Sequence, residues 1–556
     1  MSEKRADRGP WLIMLYLAGD NSLTEDMVLA LQDLLAVGPP GRDRIVAQFD
    51  PSGEGLFTQR YDFRGATGKP LEHYRDKTYA GVESNTGSVE ALVDFVRWAH
   101  GKYPRMRKHF LILSGHGSGT TEDFLLKDET SRDSLTIPEL KEALRQATAI
   151  LGSKKSRRKI DLLGMDACSM SMGEVAHEIA DDVGIMVGAE GLEPEFGWPY
   201  GRILTKVQQF GDEQPGKHMT AEELARTIVE EYVDHYSDYD RSAGRSADLA
   251  ALELEKMKGV KDAFSELVSA LRRLDEAAGH GPNGDADRKA LHNKVLLAHW
   301  YAQTYKYEQF VDLKDLCGQL EERLPEVRNE CGKVAAAVEK CVVKSGCSGF
   351  AFQHSHGLSI YFPWAYVSSD YLNVSFGRTT RKGGTGWLGF LRTHLVQTRR
   401  EARFGAAPMP GGRAPFRRLA GWFLGVDPEG CRDERAAALQ ARLARSQGRI
   451  RRAAEADETE GMLRALGRLV KAGEVTREAI DTALTRIAEA DIPEEDVPRE
   501  LARRIMPRSL AARRSRHSNG TRHSDGTRFP FDREAAVKNL PLVIGKQLWT
   551  RREPRD

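Results

Sequence analysis

Short apolar runs alternate with amphipathic stretches along the first 400 residues of the chain. Seven runs have the length and composition of β-strands: Trp11–Ala18, Arg44–Phe49, Phe110–Leu113, Ile160–Met165, Gly184–Gly188, Leu249–Leu254 and Leu358–Phe362. Segments with the apolar spacing of helices lie between most of them: Thr24–Leu35, Ser88–His100, Ile137–Ala147, Met172–Ala180 and Ala221–His235. Strands that alternate with helices in this way predict an α/β fold in which helices flank a mostly parallel central sheet.

Two of the predicted strands run directly into reactive side chains. His116 follows Phe110–Leu113 within HFLILSGHGSG, and Cys168 follows Ile160–Met165 within IDLLGMDACSM. Both strands are almost entirely apolar, as expected of central strands, and ligands bind beyond the carboxyl ends of such strands. If the two strands are neighbours, His116 and Cys168 converge as a nucleophile with its base. We also expect a helix to begin directly after Cys168 and to stabilise its thiolate.

An acidic side chain, Asp166, lies two residues before Cys168. Residues two apart in an extended chain point to the same side, so the carboxylate and the thiol share a side. A carboxylate in that position disfavours the thiolate and would not activate the nucleophile. We therefore interpret Asp166 as a contact for a positively charged group of the substrate.

Length and charge divide the chain into two parts. A chain of 556 residues exceeds one compact domain. Residues 401–556 carry 31 Lys+Arg against 23 Asp+Glu, a balance of +8, whereas residues 1–400 carry 51 against 58, a balance of −7. We predict one domain over 1–400, a Pro/Gly/Arg-rich linker over 401–432, a small helical domain over 433–510 as a C-terminal extension, and a flexible Arg-rich tail over 511–556.

Composition also bears on the compartment and the partners. The 6 cysteines are scattered, which is typical of free thiols in a reducing compartment. Trp11–Ala18 is short for a signal sequence, and no segment approaches the ~20 apolar residues that span a bilayer. These features predict a cytoplasmic protein without a membrane partner. The Arg-rich stretch 511–528 of the tail lacks Phe, Tyr and Trp for base stacking, which argues against a nucleic-acid partner.

The motifs around these residues resemble the clostripain family of cysteine peptidases, which belongs to the caspase-like clan. The matching segments span residues 11 to about 395: WLIMLYLAGDNSL, LILSGHGSG, DETSRDSLTIPELKEAL, IDLLGMDACSMSMGEVAHEI, VGAEGLEPEFGWPYG and GLSIYFPW. The resemblance implies a caspase-like fold and an endopeptidase that cuts after basic residues through a thioester on Cys168, with His116 as its partner. It implies that the backbone N–H groups of Gly117 and Cys168 hold the oxyanion. Arg should be preferred to Lys because guanidinium pairs bidentately with a carboxylate.

The resemblance also implies a substrate pocket. Asp166 matches its acidic residue, and a second acid is expected about thirty residues further on, where Glu195 or Glu193 is the candidate. Trp198 would form a wall of the pocket or belong to the core. Asp20, together with Asn21, would line the site or cap the following helix.

Activation by proteolysis is a further implication of the resemblance. The segment between the catalytic strands holds Lys127 and Arg132 as processing sites, cut by the protein itself or by an upstream protease in a regulated cascade or a defence pathway. No cofactor is required and no metal ligands are predicted, although the resemblance leaves calcium open. Two alternatives are an inactive scaffold whose basic tail binds protein or nucleic acid, and a hydrolase or transferase of small amides. Intact His116, Cys168 and Asp166 argue against the scaffold.

Overall fold

The computed structural model describes residues 9–404, apart from 54, 65–68, 80, 121–124, 153–157, 239–244, 282, 306–308, 350, 365–366, 369 and 379–382. The chain separates into two units, Met1–Glu401 and Ala402–Asp556. The last described helix ends at Phe404, inside the predicted linker. The rest of that linker, the predicted helical domain and the Arg-rich tail lie outside the described residues.

The described part is built on a mixed sheet of eight strands. The described residues form thirteen strands in all, eight of them in this sheet: β1 Trp11–Gly19, β2 Arg44–Pro51, β3 Gln59–Phe63, β4 Lys108–Ser114, β5 Leu125–Asp128, β6 Asp133–Leu135, β7 Ile160–Asp166, β8 Val183–Gly188, β9 Ala247–Glu253, β10 Thr304–Tyr305, β11 Phe310–Asp312, β12 Val342–Ser348 and β13 Ser359–Tyr361. The central sheet has the order β12-β9-β8-β7-β4-β1-β2-β3. Its middle five strands run parallel, whereas β3, β9 and β12 pair antiparallel.

Helices cover both faces of the sheet. They are α1 Thr24–Val37, α2 Val89–Lys102, α3 Ile137–Leu151, α4 Gly173–Ile179, α5 Tyr200–Glu213, α6 Ala221–Ser237, α7 Met257–His280, α8 Gly284–Tyr301, α9 Leu313–Arg323, α10 Arg328–Cys341 and α11 Trp387–Phe404. Capping boxes begin two of them, at Thr136 before α3 and at Thr220 before α6, where the threonine and a glutamate satisfy free N–H groups. Among the described residues, no helix is long and apolar enough to cross a membrane.

Two apolar cores enclose the central strands. Alternate residues of β1 belong to different cores, because successive side chains of a strand point to opposite faces. Leu12 and Met14 pack with α2 and α3, whereas Ile13 and Leu15 pack with α1, α5 and α6. The continuous apolar runs of the sequence therefore mark strands that are buried on both sides.

The predicted α/β fold with a mostly parallel, helix-flanked sheet is confirmed. Six of the seven predicted strands lie in the central sheet, but Leu358–Phe362 corresponds to β13, which belongs to a separate sheet of β10, β11 and β13. The edge strands β3 and β12 were not predicted. Strand β3 carries two buried charged residues, Arg60 paired with Asp94 and Asp62 paired with Arg64. Strand β12 is half-buried and contains a lysine. Neither strand therefore shows an apolar run.

Candidate active site

The two strands that end near His116 and Cys168 are neighbours in the sheet. Strands β4 and β7 are parallel, and Ser114 pairs with Asp166 at their carboxyl ends. His116 and Cys168 each lie two residues beyond their strand. A β-carbon at Gly117 would lie 2.6 Å from the carbonyl oxygen of Cys168 and 3.3 Å from its nitrogen. The loop after β4 therefore contacts the backbone of Cys168, and only glycine allows this approach.

The segment after Cys168 does not form a helix at once, so that prediction was wrong. Helix α4 begins at Gly173, and Ser169 has a left-handed backbone with φ 60°. The N–H groups of Ser169 and Ser171 donate to the carbonyls of Gly191 (2.8 Å) and Ala189 (2.7 Å). These hydrogen bonds hold the segment that follows Cys168 beside the loop after β8. They take the place of the hydrogen bonds that a helix would form there. The N–H of Glu193 donates to Cys168 Sγ at 3.4 Å, in place of a helix N-terminus.

A serine that sequence reasoning missed contacts His116. The Oγ of Ser22 lies 3.0 Å from Nε2 of His116. Ser22 follows β1, which is the neighbour of β4 in the sheet, and it is exposed. The available signal was its position just beyond an apolar strand, at the same sheet edge as His116.

Two acids whose carboxyl groups are shielded from solvent lie beside Cys168. Asp166 is 6 % exposed, and Tyr200 donates its hydroxyl hydrogen to Asp166 Oδ2 at 2.6 Å. Burial raises the pKa of Asp166, while hydrogen bonds, Tyr200 foremost, oppose that shift. Burial, and then the negative charge of Asp166, raise the pKa of Glu193 well above its usual range. Gly197 has φ 66°, and a β-carbon there would lie 3.0 Å from both carboxylate oxygens of Asp166. The loop after β8 therefore closes over a pair of acids.

The two candidates for the second acid have different surroundings. The Glu195 side chain is 55 % exposed and lies 3.9 Å from the guanidinium of Arg245, outside the buried pair. Glu193 joins Asp166 instead. Trp198 is 2 % exposed and its ring packs against Gly164 of β7 and Phe110 of β4 within a core. The Trp198 side chain thus lies in the core, which is one of the two positions considered for it.

Asp20 and Asn21 hold the turn that follows β1. Asp20 is 2 % exposed, and its Oδ2 accepts the N–H of Thr130 at 2.8 Å. The Asn21 side-chain amide donates to the carbonyls of Ala18 (2.9 Å) and Lys127 (2.7 Å). Both side chains thus brace the turn, and neither caps α1 through a side-chain hydrogen bond.

One group of carboxylates in the described part of the chain could hold a cation. One oxygen each of Asp20, Glu83 and Asp128 lies within 4.8 Å of the others. Calcium prefers carboxylate and carbonyl oxygens. The backbone N–H groups of Thr130 and Ser131 orient Asp20 and Asp128 by donating to one oxygen of each. These donor atoms fit the calcium that the resemblance leaves open, and Glu83 would complete the group.

The two predicted processing residues lie in the β5–β6 hairpin. Lys127 belongs to β5, its side chain is 48 % exposed, and its Nζ lies 2.9 Å from Glu129 Oε1. Arg132 lies in the exposed turn between the strands and has φ 55°. Arg132 is therefore more accessible in its backbone than Lys127.

Known proteins provide an independent comparison. The sequence profile of the clostripain family of C11 peptidases matches residues 72–376. Clostripain from Hathewaya histolytica is 23% identical over an alignment of 286 residues that covers 44% of this chain and 49% of that protein, so the chain spans about half the length of this relative.

Two solved structures are also similar to the chain. A secreted C11 cysteine protease from Bacteroides thetaiotaomicron, in complex with an irreversible peptide inhibitor, has 16% identity and a TM-score of 0.49, with 69% of this chain and 99% of that one covered. An inactive zymogen C11 protease from Parabacteroides distasonis has 18% identity and a TM-score of 0.46, with 66% and 94% covered.

The family match extends over more than half of the chain and includes both His116 and Cys168. This protein therefore belongs to the clostripain family.

Proposed function

We propose that this protein is a cysteine endopeptidase that cleaves protein or peptide substrates after basic residues. The observation that carries the proposal is the position of Cys168. Gly117, next to His116, contacts its backbone, and the carboxyl groups of Asp166 and Glu193 lie close to its thiol, with the Glu193 N–H 3.4 Å from the sulfur. This arrangement supports a reactive thiol next to a pocket for a cation.

The chemistry is acyl transfer. The Cys168 thiolate attacks the carbonyl carbon of the scissile peptide, and the imidazolium of His116 gives its proton to the departing amine. A thioester remains on Cys168. Water then adds to it, His116 accepts a proton from that water, and the acid product leaves with the thiol restored. The N–H groups of Gly117 and Cys168, whose backbones are in contact, would stabilise the oxyanion in both steps.

The acid pair supports a preference for Arg over Lys. Tyr200 orients Asp166 by a hydrogen bond, and the carboxyl group of Glu193 lies next to that of Asp166. Two carboxyl groups match the planar fork of a guanidinium better than the point charge of an ammonium. Arg should therefore be preferred at the position before the cut.

Activation by a cut in the β5–β6 hairpin is part of this proposal. Arg132 lies in an exposed turn, so a protease can reach it after limited local unfolding. Either the protein itself or an upstream protease would make the cut. The cytoplasmic location stays a prediction.

Fluorogenic peptides with Arg, Lys or Asp before the cut test the function. We expect cleavage of Arg peptides, slower cleavage of Lys peptides and none of Asp peptides. Cys168→Ala and His116→Ala should each abolish turnover while leaving the melting temperature near that of the wild type, because acylation requires both groups. Residual activity above a few per cent in purified Cys168→Ala protein, or a preference for Asp, would contradict the proposal.

A further inference from the structure

The turn after β1 presents one hydroxyl to the imidazole of His116. Ser22 Oγ lies 3.0 Å from His116 Nε2, which is hydrogen-bonding distance. The turn itself is held firmly. The Asn21 side chain donates to the carbonyls of Ala18 and Lys127, and it accepts the N–H of Leu23 at 3.0 Å. Ser22 is thus flanked by residues whose positions are set by several hydrogen bonds.

We propose that Ser22 is a positioning residue for His116. This inference rests on the proposed Cys168–His116 chemistry and adds a third group to it. The serine does not touch the substrate in this role. Its hydroxyl fixes the plane of the ring and determines which nitrogen faces the thiol.

The contact assigns the two ring nitrogens. Since Nε2 lies against Ser22, Nδ1 is the nitrogen that exchanges a proton with Cys168 and with the leaving amine. In the neutral imidazole only one nitrogen carries hydrogen, and the partner of the other nitrogen sets the tautomer. With Ser22 Oγ accepting from Nε2–H, Nδ1 keeps its lone pair and can act as the base. In the charged ring the same hydroxyl accepts from Nε2–H and stabilises the imidazolium.

Three serine variants test this role with an Arg peptide. Loss of one side-chain hydrogen bond in Ser22→Ala should lower kcat roughly two- to tenfold with little change in KM. The alkaline limb of the pH profile should move to lower pH, because the imidazolium has lost an acceptor. Ser22→Thr keeps the hydroxyl and should stay within about twofold of the wild type. Ser237→Ala is the matched control, since Ser237 is also exposed and its hydroxyl donates to the carbonyl of Asp234 within the last turn of α6.

Alkylation of Cys168 by iodoacetamide, followed by mass spectrometry, gives a measurement that needs no peptide substrate. Ser22→Ala should react more slowly than the wild type near pH 6. The difference should vanish well above the usual thiol pKa of about 8.5, where the thiol ionises without an imidazolium.

Two results would overturn the role of Ser22. One is unchanged kcat, pH profile and alkylation in Ser22→Ala. The other is a loss of kcat in Ser22→Thr as large as that in Ser22→Ala, accompanied by a lower melting temperature, which would indicate a structural effect alone. If the wild type cleaves no peptide, the proposed function fails, but the alkylation rates still decide whether Ser22 acts on the dyad.

Discussion

Glu193→Gln should weaken the protein's activity and raise its stability at the same time. The substitution keeps the shape of the side chain and removes its ability to ionise. Burial and the charge of Asp166 raise the pKa of Glu193 well above its usual range, so the neutral form of Glu193 is favoured in the free protein. A guanidinium that enters the pocket favours the ionised form of both acids. Glu193 therefore contributes its charge only when a basic side chain is bound.

The size of the loss in activity and the sign of the change in stability follow from these interactions. A hydrogen bond to a charged group contributes about 1.5–3 kcal/mol, which corresponds to a loss of roughly 10- to 150-fold in kcat/KM for Arg peptides. For stability the sign follows from the raised pKa of Glu193. The wild type has its full stability below the ordinary value of 4.5 and loses part of it as pH rises toward the raised value. Gln cannot ionise, so the variant should gain relative to the wild type between about pH 5 and 8.

The assay combines kinetics with thermal melting. We would measure kcat/KM for peptides with Arg, Lys and a neutral residue before the cut, and melting temperatures from pH 4.5 to 8. Glu195→Gln is the matched control, because Glu195 is two residues away and 55 % exposed. It should change stability by less than about 0.5 kcal/mol and leave the Arg preference intact. The reasoning would be refuted if Glu195→Gln lost as much kcat/KM for Arg peptides as Glu193→Gln does. It would also be refuted if Glu193→Gln melted at a lower temperature than the wild type at pH 8.

Three further predictions concern other parts of the molecule. Phe196→Ala should raise KM a few-fold for peptides with an apolar residue next to the basic one, because the 59 % exposed ring of Phe196 lies on the loop that closes over the acids. Leu372 is 40 % exposed in another part of the molecule, so Leu372→Ala should leave KM unchanged. Equal KM values for the wild type and both variants would disprove a contact between Phe196 and the substrate. Calcium should raise the melting temperature of the wild type more than that of Glu83→Gln, since Glu83 is the exposed member of the carboxylate group; identical shifts would exclude this site. Arg132→Gln should remain uncut under conditions that process the wild type, as intact mass would show. If the variant gave the same fragments as the wild type, the cut would lie at another residue.

The strands that carry the site could be predicted because they are central. Burial on both faces leaves β1, β4, β7 and β8 with few polar residues, so each gives an apolar run that marks its ends. The reactive positions of His116 and Cys168 follow from those ends. Edge strands lack this signal. In β3 the buried Arg60 is satisfied by Gln48 and Asp94, partners that a linear sequence does not reveal.

The remaining site residues depend on loops, and loops have no period that sequence patterns can detect. Glu193 and Glu195 are two residues apart, yet the carboxylate oxygens of Glu193 are buried and the Glu195 side chain is 55 % exposed, because the loop after β8 is irregular and turns at Gly197 with φ 66°. The missing helix after Cys168 has a similar cause. Ser169 and Ser171 bond to the carbonyls of residues distant in sequence, and these bonds override the local helical pattern.

The β5–β6 hairpin connects the proposed processing turn to the catalytic groups. The N–H of Leu126 donates to the carbonyl of His116 at 2.9 Å, and the carbonyl of Lys127 accepts from the Asn21 side chain at 2.7 Å. Further along, the N–H of Thr130 donates to Asp20 Oδ2 at 2.8 Å. A cut after Lys127 would separate the last contact from the first two, whereas a cut after Arg132 lies beyond all three. After cleavage at Arg132, one strand would still hold both the turn that presents Ser22 and the backbone of His116. We therefore favour Arg132 as the position of the activating cut.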